Sequence, residues 1–154
     1  MEVRQLSLKD CPAVANLETQ LFESRFDAEQ LRSLLEKPAF YGAVLTAPGV
    51  ASDVHAYCLS YIMSDSAEII AIGTHGNRQR SGFGQTVLRH MIEVTEQRHV
   101  ERILLEVASD NYAARQLYNS FGFVEVGCRK NYYQRGKVRC DALTMVRKRV
   151  SAFS

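Results

Sequence analysis

The sequence QRSGFG at residues 79–84 lies between a predicted strand at residues 68–74 and an apolar helical repeat that begins at Phe83. The start of a helix presents backbone N–H groups that lack intrahelical partners, together with the positive end of the helix dipole. Glycine allows an anion to approach such groups closely. The stretch therefore predicts a pyrophosphate site, although a flexible turn could have the same composition.

Two other phosphate motifs do not fit this loop. A nucleotide P-loop requires Lys-Ser or Lys-Thr after its second glycine, and here Gln85 and Thr86 follow Gly84. The dinucleotide fingerprint requires a third glycine, and Val87 stands at that position. Neither a nucleotide P-loop nor a dinucleotide-binding turn is therefore predicted here.

The elements around the loop predict the fold. Three strands precede it through short connections, which favours an antiparallel meander. After the helix, Ile103, Leu104, Leu105 and Val107 are apolar without alternation, as in a strand buried on both faces. The predicted strands are 3–8, 40–46, 54–63, 68–74, 102–107, 123–132 and 139–147. The helices begin at Asp10 (a possible N-cap), Asp27, Phe83 and Asn111, Gly122 ends the last helix, and a turn at Gly136 joins the last two strands. We expect one α/β (α+β) domain over residues 1–154, with a mixed sheet.

Composition is that of an ordinary globular chain of 154 residues, with 46% hydrophobic and 23% charged residues. The formal net charge of +2 is too small to indicate a nucleic-acid footprint. The basic stretch at residues 139–149 is either a solvated face or a site for an acidic partner.

The cysteines and the N-terminus bear on the compartment. Cys11, Cys58, Cys128 and Cys140 form no C-x-x-C pair, and no histidine stands at a metal-ligand spacing from them. We expect four free thiols in a reducing compartment and no metal. No apolar signal core and no apolar run approaching 18 residues is visible, so we expect a cytoplasmic protein that does not bind a membrane.

Three motifs, in order, resemble the GCN5-related N-acetyltransferases. QRSGFG at 79–84 matches that family's Q/R-x-x-G-x-G/A loop. LLEV at 104–107, followed by Asn111, the Leu117-Tyr118 pair and FGF at 121–123, resembles its L-E-V…N…L-Y…G-F string. RKNYY at 129–133 is similar to the bacterial ribosomal-protein-alanine (RimI-like) branch. The resemblance is strongest over residues 60–147.

Three positions depart from that branch. RFD at 25–27 replaces its Pro-Trp pair, and the chain contains no Trp. THGN at 74–77 replaces an aspartate-proline turn, and Cys140 stands where an acidic residue is common. The first two departures lie beside the regions that shape the acceptor site and the cofactor loop, so they bear on the acceptor more than on the chemistry.

The resemblance implies a central, mainly antiparallel sheet of about seven strands with about four helices on its faces. It implies an acyltransferase that uses acetyl-CoA as co-substrate, needs no metal and moves the acetyl group directly to an amine. The leading acceptor is the N-terminal α-amine of a protein such as a ribosomal protein. The alternatives are a lysine or small-molecule amine, or a non-catalytic acetyl-CoA-binding module. A monomer or weak dimer is expected, with no direct contact to nucleic acid.

Residue roles follow from the chemistry and the resemblance together. Glu106 is the candidate base, because a carboxylate within an apolar strand is costly unless water or a partner reaches it, although it also fits as a solvent-facing glutamate on an ordinary strand. Tyr118 is the candidate acid for the leaving sulfur, although it also fits as a core aromatic. A bulge near Ile72 and Gly73 is expected to polarise the thioester carbonyl, and Asn111 either bonds to coenzyme A or only caps its helix. The predicted cofactor-binding residues are Ile72, Gly73, Thr74, Arg80, Ser81, Gly82, Phe83, Gly84, Gln85 and Asn111.

Overall fold

A computed structural model describes residues 1–21, 26–47, 53–75, 82–135 and 138–150, and the side chains of 133–135 and 138–140 are outside that description. The strands are β1 (Glu2–Gln5), β2 (Phe40–Thr46), β3 (Val54–Ile62), β4 (Ser66–Thr74), β5 (Arg102–Ala108), β6 (Val124–Arg135) and β7 (Val138–Lys148). The α-helices are α1 (Cys11–Leu21), α2 (Ala28–Leu35), α3 (Phe83–Gln97) and α4 (Tyr112–Ser120), and a short 3₁₀ helix, Leu8–Asp10, precedes α1.

The seven strands form one sheet in the order β1-β2-β3-β4-β5-β7-β6. Every neighbouring pair is antiparallel except β4 and β5, which run parallel. A parallel pair needs a crossover, and α3 supplies it after the β2–β3–β4 meander. The predicted mixed, mainly antiparallel sheet of seven strands with four α-helices is confirmed.

Two hydrophobic cores lie on the two faces of the sheet. One contains the buried stripe of α3, including Val87, Leu88 and Met91, together with Tyr118 of α4. The other contains residues of α1 and α2, including Val14 and Leu31. Full burial of one such aliphatic side chain is worth roughly 1.5–3 kcal/mol, so packing on both faces rather than local propensity holds the helices in place.

The start of α1 differs from the prediction that Asp10 is its N-cap. Asp10 ends the 3₁₀ helix, and its carboxylate accepts the Ser7 N–H at 2.8 Å in a capping box. The Arg4 guanidinium donates two further hydrogen bonds, both 2.7 Å, to the same buried carboxylate. Asp10 therefore ties β1 to the turn before α1, which also explains why β1 ends at Gln5 rather than at the predicted Leu8.

The other predicted boundaries agree to within a few residues. The second helix is predicted to begin at Asp27, which is the N-cap of α2 and accepts the Gln30 N–H at 2.8 Å. Gly122, with φ +89°, follows the last turn of α4 in the left-handed conformation that favours glycine. The expected β6–β7 turn at Gly136 lies outside the described residues.

Two arginines of the basic stretch at residues 139–149 contact other parts of the fold. Arg147 donates to the Phe121 carbonyl at 2.8 Å and to Glu96 at 3.0 Å. Arg149 lies 3.5 Å from the second Glu96 oxygen. These contacts tie the end of β7 to α3, so Arg147 and Arg149 are engaged within the fold.

Candidate active site

The centre of the sheet opens where β4 and β5 part. Within these fully described strands, the parallel pairing runs only from Ser66↔Arg102 to Ile69↔Leu105. Beyond it β4 pairs with β3 as far as Ala56↔Thr74, and β5 pairs with β7 as far as Ala108↔Ala142. The free edge of β4 in this opening can take an extended ligand as if it were an added strand.

A β-bulge lies at the start of this opening, at Ile70. Ser60 pairs with Ile69 and its neighbour Leu59 pairs with Ala71, so Ile70 is the extra residue. The prediction placed the bulge near Ile72 and Gly73, where the pairing with β3 is regular; the prediction was therefore two residues too late. Because the pairing register of a strand reflects its neighbours, the sequence of β4 alone could not locate the bulge.

The bulge changes the face to which β4 side chains point. Ile69 belongs to the α3–α4 core, whereas Ala71 belongs to the α1–α2 core. Ile72 packs against the α3–α4 core, and the Thr74 hydroxyl lies 3.4 Å from the place that a Gly84 Cβ would occupy. Thr74, one of the predicted cofactor residues of β4, thus meets the start of α3.

Gly82 is the N-cap of α3, with φ +80° in the left-handed region that favours glycine. The free N–H groups of the first turn therefore begin at Phe83 and include Gly84 and Gln85. A Cβ at Gly84 would also lie 3.7 Å from Leu117 of α4, so the loop end, β4 and α4 converge at this glycine. Arg80 and Ser81, also predicted to bind the cofactor, lie outside the described residues.

Glu106 lies one residue beyond the last β4–β5 pair. Its neighbours Leu105 and Val107 face the α3–α4 core, so Glu106 faces the opposite side of the sheet. The side chain is 30% exposed, and its Oε1 accepts a hydrogen bond from Arg129 of β6. That hydrogen bond raises the pKa of the Arg129 guanidinium. Oε2 is buried and has no hydrogen-bond partner in the described part of the chain.

Tyr118 lies on the other side of the sheet from Glu106. It is 5% exposed in the α3–α4 core, with its ring centroid 5.9 Å from that of Phe123. Its neighbour Leu117 approaches Gly84. The core-aromatic interpretation is therefore correct for the ring, and the catalytic role of the hydroxyl remains a prediction.

Asn111 caps α4, and its Oδ1 accepts the Ala114 N–H at 3.2 Å. Capping alone accounts for this asparagine, so its contact with coenzyme A remains a prediction.

Sequence reasoning missed a buried pair on the Glu106 side of the sheet. The Tyr57 hydroxyl donates a hydrogen bond to Glu18 of α1, and both residues are fully buried. A Cβ at Gly73 would lie 2.6 Å from this hydroxyl and 2.8 Å from Leu21, so only glycine fits there. The signal was present, because Glu18 falls within the apolar stripe of Val14, Leu17 and Leu21.

Comparison with known proteins agrees with this architecture. Residues 8–123 match the acetyltransferase (GNAT) family. The chain belongs to the GNAT family. A Bacillus subtilis relative, provisionally named a ribosomal protein bS18-alanine N-acetyltransferase, is 31% identical over 132 residues, or 85% of each chain.

Two Escherichia coli comparisons point to the same branch of the GNAT family. The ribosomal protein bS18-alanine N-acetyltransferase of strain K12 is 38% identical over 90 residues, which span 58% of this chain and 61% of that one. The crystal structure of the ribosomal-protein-S18-alanine N-acetyltransferase from Escherichia coli superposes with a TM-score of 0.87 at 29% identity, covering 96% of this chain and 92% of that one. The chain is accordingly an acetyl-CoA-dependent N-acetyltransferase.

The residues present fit acetyl-CoA. The open edge of β4 suits an extended pantetheine arm, and the glycine-capped start of α3 suits a pyrophosphate. No helix in the described ranges is long and apolar enough to cross a membrane.

Proposed function

We propose that this GNAT enzyme acetylates the N-terminal α-amine of a protein, a ribosomal protein being the leading class, with Glu106 as base and Tyr118 as acid. The observation that carries the proposal is that Glu106 follows the last β4–β5 pair on one face of the sheet, while Tyr118 lies in the core on the opposite face. In the tetrahedral intermediate the nitrogen and the sulfur occupy different corners of the same carbon, so a base and an acid that reach the carbon from different sides suit them.

When bound, acetyl-CoA supplies the acetyl group as a thioester. Glu106 takes the proton from the acceptor ammonium, directly or through one water, so that the nitrogen lone pair is free to attack. As the new C–N bond forms and the C–S bond breaks, Tyr118 gives its proton to the sulfur, the nitrogen releases its second proton to water, and Tyr118 is reprotonated from water. A phenol is a weaker acid than a thiol, so Tyr118 must act through its position. Backbone N–H groups of β4 at the opening would stabilise the charge that develops on the carbonyl oxygen.

The acceptor class is supported by the free energy of deprotonation. At pH 7, deprotonating an α-amine costs about 1.4 kcal/mol, whereas deprotonating a lysine side chain costs about 4.6 kcal/mol. One carboxylate that is 30% exposed is a sufficient base for an α-amine. A lysine amine requires a stronger base. The names of the Bacillus subtilis and Escherichia coli relatives support the same acceptor.

A panel of acceptors tests this proposal. Thiol release from acetyl-CoA is measured with a peptide that has a free α-amine, with the same peptide blocked at its N-terminus but containing lysine, and with a polyamine. We expect the free α-amine to give the highest kcat/KM. Faster turnover of the lysine peptide or the polyamine would reassign the acceptor, and binding of acetyl-CoA without turnover of any amine would indicate a non-catalytic module.

A further inference from the structure

Arg129 reaches Glu106 across an intervening strand. Glu106 pairs with Thr144 of β7, and Thr144 pairs in turn with Gly127 of β6. Arg129 lies in the next row, beside Ala142. Since Thr144 and Ala142 of β7 are small, the Arg129 guanidinium can extend over this strand to the Glu106 carboxylate.

A second feature of β6 supports the guanidinium from the other side. Between the pairs Arg129↔Ala142 and Tyr133↔Cys140 the strand leaves the β7 register, and Asn131 has φ +54°. The Asp141 carboxylate accepts the Asn131 N–H at 2.9 Å and so secures this irregular segment. The segment places the Tyr132 ring centroid 3.8 Å from the Arg129 Cζ, a cation–π contact.

The two oxygens of Glu106 are therefore in different environments. Oε1 accepts the Arg129 hydrogen bond, while the buried Oε2 has no hydrogen-bond partner among the described residues. A charge-assisted hydrogen bond to one oxygen restricts the orientation of a carboxylate. It therefore also sets the direction in which the other oxygen points.

We infer that Arg129 is a positioning residue that holds Glu106 by Oε1 so that Oε2 receives the proton of the acceptor amine. This inference rests on the proposed role of Glu106 as the base. Arg129 does not touch the reacting atoms, and Tyr132 and Asp141 act one step further away by holding Arg129. The pKa of Arg129, raised by its bond to Glu106, keeps the guanidinium charged throughout the working range.

The test is a double-mutant cycle of Arg129→Gln and Glu106→Gln, with kcat and acceptor KM measured on a peptide with a free α-amine. We expect Arg129→Gln to lower kcat by about 10- to 100-fold with little change in KM, because a base that is displaced by about 1 Å loses that much. Arg129→Lys should recover part of kcat, since it keeps the charge but not the planar guanidinium. In the Glu106→Gln background, Arg129→Gln should change kcat by less than about twofold.

Lys130→Gln is the matched control, because it removes a neighbouring exposed cation from the same strand and should leave kcat unchanged. An Arg129→Gln enzyme with normal kcat would overturn the inference, as would one with a lower acceptor KM, which would mean that Arg129 competes with the ammonium for Glu106. Full additivity of the two substitutions would also overturn it. A Glu106→Gln enzyme with wild-type kcat would instead remove the proposed base, and this inference with it.

Discussion

The Tyr57 hydroxyl donates a hydrogen bond to the Glu18 carboxylate, and this buried pair lies directly against Gly73 on the free edge of β4. A buried carboxylate is stable only when it is well hydrogen-bonded, and removing a donor leaves it uncompensated. The pair therefore couples the packing of α1 to the strand that is proposed to bind the pantetheine arm.

Replacing Tyr57 by Phe should destabilise the fold by roughly 1–3 kcal/mol, because it leaves the buried Glu18 with one donor fewer. Urea unfolding measures the free energy of unfolding. Glu29→Gln, which changes an exposed carboxylate on α2, is the control and should alter that free energy by less than about 0.5 kcal/mol. If Tyr57→Phe is as stable as the wild type, the Tyr57–Glu18 bond contributes nothing to the fold.

Asp10 should make stability depend on pH in the acid range. Burial alone would raise the pKa of this carboxyl, but hydrogen bonds from Arg4 and Ser7 outweigh burial and lower it. An unfolded aspartate titrates near 3.9, so the stabilisation is fully present above that pH and is lost as pH falls through the lower pKa of the folded state. Asp10→Asn should cost about 2 kcal/mol at pH 7, and the difference should shrink below about pH 4. A difference that is equal at pH 7 and pH 3 would contradict this assignment.

Gly84→Val should weaken acetyl-CoA binding while the protein stays folded. A Cβ at Gly84 would meet Thr74 and Leu117 at ordinary contact distances, so the fold can accept one carbon there, but a branched side chain would extend into the predicted pyrophosphate site. Calorimetry with acetyl-CoA measures the change, and Gly127→Ala, at the Glu106 side of β6, is the control. Unchanged affinity of Gly84→Val for acetyl-CoA would contradict the prediction that the loop at residues 79–84 binds the pyrophosphate.

The cysteines should take no part in the chemistry. Cys58 is fully buried, and burial raises its pKa to about 12, while burial also raises the pKa of Cys11. Thiols of this kind are poor nucleophiles. The three described cysteines are free, as predicted, and the Cys140 side chain lies outside the description. Mass spectrometry during turnover should detect no acetylated cysteine; a trapped acetyl-cysteine would contradict direct transfer.

The periodic parts of the fold could be predicted from the sequence, because each depends on a local pattern. The α3 stripe, the buried strand β2 and the C-terminal glycine of α4 were all predicted correctly. The catalytic roles of Glu106 and Tyr118 remain predictions, because the structure shows only that Glu106 follows the last β4–β5 pair and that Tyr118 lies in the α3–α4 core.

What could not be predicted depends on register and on contacts between distant elements. The bulge at Ile70 is defined by pairing with β3, and the irregular segment around Asn131 by pairing with β7. The bond between Glu18 and Tyr57 joins residues 39 apart in sequence, and that between Glu106 and Arg129 joins residues 23 apart. A single sequence contains each residue of these pairs but not the register that brings them together.

The central claim, that Glu106 is the base and Tyr118 the acid, is tested most directly by a pH–rate profile of Glu106→Gln and Tyr118→Phe with a saturating peptide acceptor. Glu68→Gln is the control, because Glu68 is an exposed carboxylate on the same face, placed before the two strands part. We expect Glu106→Gln to be about 10²- to 10⁴-fold slower near neutral pH and to recover as pH rises, because more of the amine is then neutral without help. Tyr118→Phe should be slow without the same recovery and should keep a near-normal KM. A wild-type rate for Glu106→Gln near pH 7, or a slow Glu68→Gln enzyme in its place, would contradict the assignment.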